Sequence, residues 1–257
     1  MILHAEEMGK GSPPVCLLHG LFGSGANLRT AARRLAATRR VVLLDLRNHG
    51  GSGHAAGMSY GEMAADVRAT LAGREALPAA LLGHSMGGKV AMRLALDAPG
   101  VVERLLVADI APVAYPPHFQ DLVAALQALP LRPGLGRAEA SALLAPAVPD
   151  AALRAFLLLN LRPGEMPCWR IGLGEIAAGL RHIEGWEAPP GARYAGPALF
   201  LSGERSGYVR AEDRPAIRAL FPEARFAVLR DAGHWMHADQ PEAFAATATA
   251  FLVPGAA

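Results

Sequence analysis

Ala79-Ala80-Leu81-Leu82-Gly83-His84-Ser85-Met86-Gly87 is the stretch on which the fold of this chain turns. Its apolar start, without polar alternation, suits a strand buried on both faces of a parallel sheet. Downstream, Lys89-Val90-Ala91-Met92-Arg93-Leu94-Ala95-Leu96 carries a helical period over residues 86–98. Between strand and helix, Gly83-x-Ser85-x-Gly87 has the spacing of a nucleophile elbow. The backbone turns so tightly in such an elbow that side chains beside the serine would collide. Glycines at 83 and 87 are expected to supply the missing bulk and the unusual dihedrals. Ser85 is then held out at the carboxyl end of its strand. A plain Gly/Ser turn would share the motif but not its flanks.

The same unalternating texture recurs at Val15-Cys16-Leu17-Leu18, Val41-Val42-Leu43-Leu44, Leu105-Leu106-Val107-Ala108, Ala198-Leu199-Phe200-Leu201 and Phe226-Ala227-Val228-Leu229. Amphipathic stretches at 27–37, 60–72, 211–220 and 240–252 separate most of them. Strands alternating with helices imply right-handed crossovers and a mostly parallel, doubly wound α/β sheet. Ligands of such sheets gather beyond the carboxyl ends of the strands. Residues 2–11 read as a short hairpin around Gly9-Lys10-Gly11, and 254–257 as a frayed end.

One interval breaks the rhythm. Between Asp109 and Pro197 no convincing strand is found, and helical periods run at 118–129, 137–145, 150–161 and 170–183. This predicts an α/β core over 1–111 and 193–257, with a helical cap inserted at 112–192. A separate helical domain is the alternative, but the strand pattern resumes at 198.

With 257 residues, 52% apolar and 19% charged, the chain has material for one large core and no sign of wholesale disorder. The formal charge is only +2, and lysine occurs at Lys10 and Lys89 alone. No basic run, stacking-aromatic cluster or zinc spacing supports a nucleic-acid partner. Cys16 and Cys168 lie far apart, so free thiols in a reducing compartment are expected rather than a disulfide framework. The opening residues lack a basic and then apolar leader pattern, and no apolar run approaches bilayer length. These features predict a soluble, cytoplasmic protein without stable membrane insertion.

A serine hydroxyl needs a base. Of nine histidines, His234 in Asp231-Ala232-Gly233-His234-Trp235 follows the last strand, where the hydrolase chain order places the base. His237 reads as structural, and His49 as a loop residue that lines the cleft. For the oxyanion hole, the Met86 amide opens the helix after Ser85. A second donor is expected from His19-Gly20-Leu21-Phe22-Gly23, with Leu21 ahead of Phe22. His19 itself reads as a loop organiser, and Asp45 as another.

The acid is less direct. The usual slot, after the penultimate strand, falls in Ser202-Gly203-Glu204-Arg205-Ser206-Gly207-Tyr208 and holds Ser206, whose hydroxyl cannot balance an imidazolium. Asp109, Glu204 and Asp231 are the candidate replacements. Position at a strand end favours Asp109, next to the nucleophile's own strand. An apolar acyl pocket is expected from Phe22, Trp169, Trp186, Tyr208 and Trp235, with Ser206 nearby.

Taken together, His19-Gly20-Leu21-Phe22-Gly23, Asp45-Leu46-Arg47-Asn48-His49-Gly50, Gly83 to Lys89, Asp109-Ile110-Ala111-Pro112-Val113 and Gly233-His234-Trp235-Met236-His237-Ala238 resemble the α/β-hydrolase superfamily. More narrowly they are similar to YbfF-type esterases and their animal abhydrolase relatives. The resemblance implies a Ser–Asp–His esterase or thioesterase needing neither metal nor organic cofactor. It also implies an acid after the strand that follows the nucleophile, with serine in the usual slot. The chain departs from the pattern at Arg205-Ser206-Gly207. The expected substrate is a small-molecule acyl ester or thioester. Dehalogenase or epoxide-hydrolase chemistry would need a carboxylate at position 85. A C–C hydrolase, a lyase-type relative or a non-catalytic binder on the same fold are the competing readings.

Overall fold

A computed structural model describes residues 1–253, so the expected frayed end at 254–257 lies outside the described residues. The chain runs β1 (Ala5–Met8), β2 (Val15–Leu18), α1 (Arg29–Leu35), β3 (Val41–Leu44), α2 (Tyr60–Ala72), β4 (Ala79–His84), α3 (Met86–Asp97) and β5 (Val102–Ala108). Then come α4 (Gln120–Ala128), α5 (Arg137–Leu144), α6 (Ala151–Leu157), β6 (Leu161–Arg162), β7 (Cys168–Trp169) and α7 (Leu173–Glu184). The chain returns through β8 (Ala198–Gly203), α8 (Arg214–Leu220), β9 (Ala224–Leu229), α9 (Met236–Asp239) and α10 (Pro241–Leu252). The main sheet has the order β1-β3-β2-β4-β5-β8-β9. Every neighbouring pair in it is parallel except β1 with β3.

The hairpin expected at 2–11 does not form. Ala5–Met8 instead pairs antiparallel with Val41–Leu44 at the sheet edge. An isolated two-stranded hairpin is marginal in water, whereas joining a large sheet gives the same residues a stable ladder.

Successive strand residues point to opposite faces. Val15, Leu17, Val41, Leu43, Ala80 and Leu82 share one buried cluster with Leu35 of α1 and Phe244 of α10. Cys16, Leu18, Val42, Leu44 and Leu81 belong to the other, with Met63 of α2 and Val90 of α3. Both faces being covered is why these strands lack polar alternation. α2 starts at Tyr60 because Ser59 and Glu62 form a reciprocal capping box.

Between β5 and β8, which are direct neighbours, the chain inserts α4 to α7. No strand was expected in this interval, yet β6 and β7 form a two-residue antiparallel pair. The helix expected over 150–161 accordingly ends at Leu157, passing through a 3₁₀ turn at Leu158–Asn160. Asn160 is turned inward, its Nδ2 donating to the Phe22 carbonyl at 2.8 Å. That tertiary bond competes with further helix and has no local signature.

Candidate active site

Ser85 sits between β4 and α3 at φ 53° and ψ −121°, a sparsely populated conformation. Its N–H donates to the Ala108 carbonyl at 2.9 Å, which ties the elbow to the end of β5. A Cβ at Gly83 would strike the Gly87 backbone, and one at Gly87 would strike the Leu18 and His19 carbonyl oxygens. The glycines therefore supply room, as expected. The unusual dihedral falls on Ser85 itself, not on them.

Asp109 follows β5 and is also held at positive φ, 55°. Its N–H donates to the Leu201 carbonyl at 2.8 Å, which fixes it to β8. The side chain is fully buried. Oδ1 accepts from the Gly203 N–H at 3.1 Å, and Oδ2 accepts from the Ser206 hydroxyl. The same Oδ2 lies 2.7 Å from His234 Nδ1, and His234 Nε2 lies 3.1 Å from Ser85 Oγ. A carboxylate, an imidazole and a hydroxyl thus form one hydrogen-bonded chain, drawn from the ends of β5, β9 and β4.

The other candidate carboxylates are engaged elsewhere. Glu204 accepts from the Asp231 N–H at 2.9 Å, and Asp231 holds its turn at φ 54°. His234 is held from two further sides. Its carbonyl accepts from His84 Nε2 at 2.8 Å, and the Tyr208 ring stacks on it at 4.1 Å.

The loop after β2 is braced by two buried histidines. His19 Nδ1 donates to the Gly20 carbonyl at 2.8 Å, and Nε2 accepts from the Leu46 N–H at 2.9 Å. His49, expected to line the cleft, is instead fully buried. It donates through Nδ1 to the Arg47 carbonyl and accepts the Phe22 N–H on Nε2 at 3.1 Å. Phe22 therefore has no amide to spare. Across the cleft, Met86 is the first residue of α3, and its N–H is one of the orphan donors of a helix start. Asp45 braces the same region, accepting the Gly25 and Gly51 N–H groups at 2.7 Å each.

Burial, and then the nearby His19, push the His49 pKa down from 6.5 to about 3. The folded protein keeps this ring neutral, so it goes on accepting from Phe22. In the window from 6.5 down to about 3 the unfolded chain binds the extra proton, so acidification favours unfolding. At pH 5 this one group accounts for about 2 kcal/mol. Urea midpoints at pH 7 and pH 5, compared between wild type and His49→Gln, isolate the effect, and an equal drop in both proteins would exclude it.

A cleft of about 450 Å³ opens over Ser85 and His234. Phe22, Tyr208 and Trp235, the sequence's candidates for substrate contact, line it. Trp169 and Trp186 do not: Trp169 belongs to β7, and Trp186 packs beside the Tyr60 ring at 5.8 Å, lining a separate surface pocket. Ser206 is turned onto Asp109 rather than into the cleft. The apolar wall comes instead from Phe119, Leu122, Val148, Leu153 and Phe156 of the inserted segment. Leu122 lies on α4, Leu153 and Phe156 lie on α6, and Phe119 and Val148 lie outside the helices, so no single periodic pattern flagged them. His237, read as structural, also lines the cleft, with its pKa pushed down to about 4 by burial.

A family model described as the alpha/beta hydrolase fold matches residues 13–241. The chain belongs to the α/β-hydrolase family. Within it, the chain is 40% identical over 251 residues to mouse "sn-1-specific diacylglycerol lipase ABHD11", covering 93% of this chain and 81% of that one. It is 38% identical over 231 residues to "Esterase YbfF" of Escherichia coli K12, covering 90% and 89%. A solved "Marine microorganism esterase" superposes with a TM-score of 0.94 at 35% identity, covering 98% of this chain and 99% of that one. In this α/β hydrolase, no helix among the described residues is long and apolar enough to cross a membrane.

Proposed function

We propose that this α/β hydrolase is a serine hydrolase that cleaves carboxylic esters or acyl thioesters through an acyl-enzyme. The observation that carries the reading is the unbroken chain Asp109–His234–Ser85, at 2.7 and 3.1 Å, opening onto an apolar cleft. Relatives named as lipases and esterases across nearly the whole length support ester-bond hydrolysis.

Ser85 Oγ attacks the acyl carbonyl while His234 Nε2 takes its proton. Asp109 holds His234 in the tautomer with hydrogen on Nδ1 and balances the imidazolium. The Leu21 and Met86 amides receive the oxyanion, each worth about 3 kcal/mol of transition-state stabilisation. His234 then returns the proton to the leaving group, and a water activated by the same ring releases the acid. Ser206 positions Asp109 rather than the substrate. Residues 112–192 act as the cap, closing apolar walls over the core formed by 1–111 and 193–257.

A turnover panel of carboxylic esters and acyl thioesters tests the reading, run beside labelling with a fluorophosphonate. Hydrolysis of at least one class, with labelling confined to Ser85, is expected. Labelling with no turnover on either class would favour lyase-type or carbon–carbon bond chemistry.

A further inference from the structure

Ser85 stands between two spaces. One is the 450 Å³ cleft; the other is a cavity of about 30 Å³ lined by Ser85 together with Met86, Lys89 and Ile110. Leu21, Ser85, His118, Phe119 and Tyr208 border both. His234 borders only the large cleft, and Met86 borders only the small cavity.

This asymmetry orients an ester. The leaving oxygen must lie where His234 can protonate it, and so on the cleft side. The acyl group, on the opposite side of the carbonyl carbon, then points toward the small cavity. We propose that this cavity is the acyl subsite, suited to short acyl groups, and that the large cleft receives the apolar alcohol. The inference rests on the serine-hydrolase reading above and adds the substrate class to it.

Size and polarity both argue for a short hydrocarbon. The space is more than tenfold smaller than the cleft, so a short acyl chain suits it better than a long one. The polar groups around the cavity are already committed. Lys89 Nζ donates to the Gly185 carbonyl at 2.7 Å and lies 4.7 Å from the Tyr115 ring centre. Tyr115 OH donates to the Tyr208 carbonyl at 2.6 Å and accepts from the Ala111 N–H at 2.9 Å. The Glu184 carboxylate accepts from the His118 and Phe119 N–H groups and from Gln120 Nε2. What remains facing the space is largely aliphatic and aromatic surface, including Ile110 and Ile183. The same bonds restrain its walls. Lys89 ties α3 to the end of α7, and Tyr60 OH ties α2 to the Ile183 carbonyl at 2.5 Å.

The test uses 2-naphthyl esters that share one leaving group and differ only in acyl length. Wild type should lose at least about tenfold in kcat/KM between propionate and octanoate. Ile183→Ala and, separately, Ile110→Ala should raise octanoate relative to acetate by about fivefold or more. Phe156→Ala, which widens only the large cleft, should instead change the ranking of acetate esters of different alcohols. Octanoate turned over as well as acetate by wild type would overturn the assignment. So would an acyl-length profile that responds to Phe156→Ala and not to either isoleucine variant. In both cases, continued labelling of Ser85 would leave the hydrolase reading standing. Failure of labelling and of all turnover would remove both.

Discussion

Ser85→Ala should abolish labelling by a fluorophosphonate and lower kcat toward the best ester by about 10⁶-fold. Alanine removes the hydroxyl that lies 3.1 Å from His234 Nε2 while leaving the elbow's packing in place. The substitution keeps a Cβ at φ 53°, so the fold should survive with little change. Retained labelling, checked by mass spectrometry of the intact protein, would place the nucleophile elsewhere.

Asp109→Asn should lower kcat by about 10³–10⁴-fold while KM changes little. An amide in the same space keeps the shape but presents the wrong hydrogen-bonding group to His234 Nδ1. It also takes away the charge that balances the imidazolium. Glu204→Gln, by contrast, should leave kcat within about threefold of wild type, because an exposed side chain bonded to the Asp231 N–H makes no contact with His234. Measuring both variants on one ester decides between the two carboxylates. A large loss in Glu204→Gln with little in Asp109→Asn would reverse the assignment.

Several parts of this arrangement were legible in the order of residues. Buried parallel strands announce themselves because both faces are covered, and Val15–Leu18 and Val41–Leu44 match the expected runs residue for residue. The β1 ladder was not legible, since an edge strand needs only one paired side and its partner lies more than thirty residues away. Asp109 could be reached by position because strand ends converge in this topology. Its hydrogen bond to Ser206 spans 97 residues and leaves no local trace.

Trp169 and Trp186 show where composition misleads. Large aromatics in an inserted segment are natural candidates for a pocket, yet both are instead packed, partly buried, against the main apolar cluster. Orientation, not identity, separates Phe156 in the cleft from Trp186 outside it.

By itself the sequence determined the order of the parallel strands and of the helices between them, the place of Ser85 in a tight elbow, and the lateness of His234. Those features follow from local periodicity and from turns that only certain residues can make. The tertiary structure alone decided that His49 consumes the Phe22 amide, which withdraws that N–H as a donor to the site. It also decided which apolar side chains face the cleft and that Ser85 stands between a large space and a small one. Each of those outcomes depends on pairing between residues distant in the chain, where no local pattern records the partner.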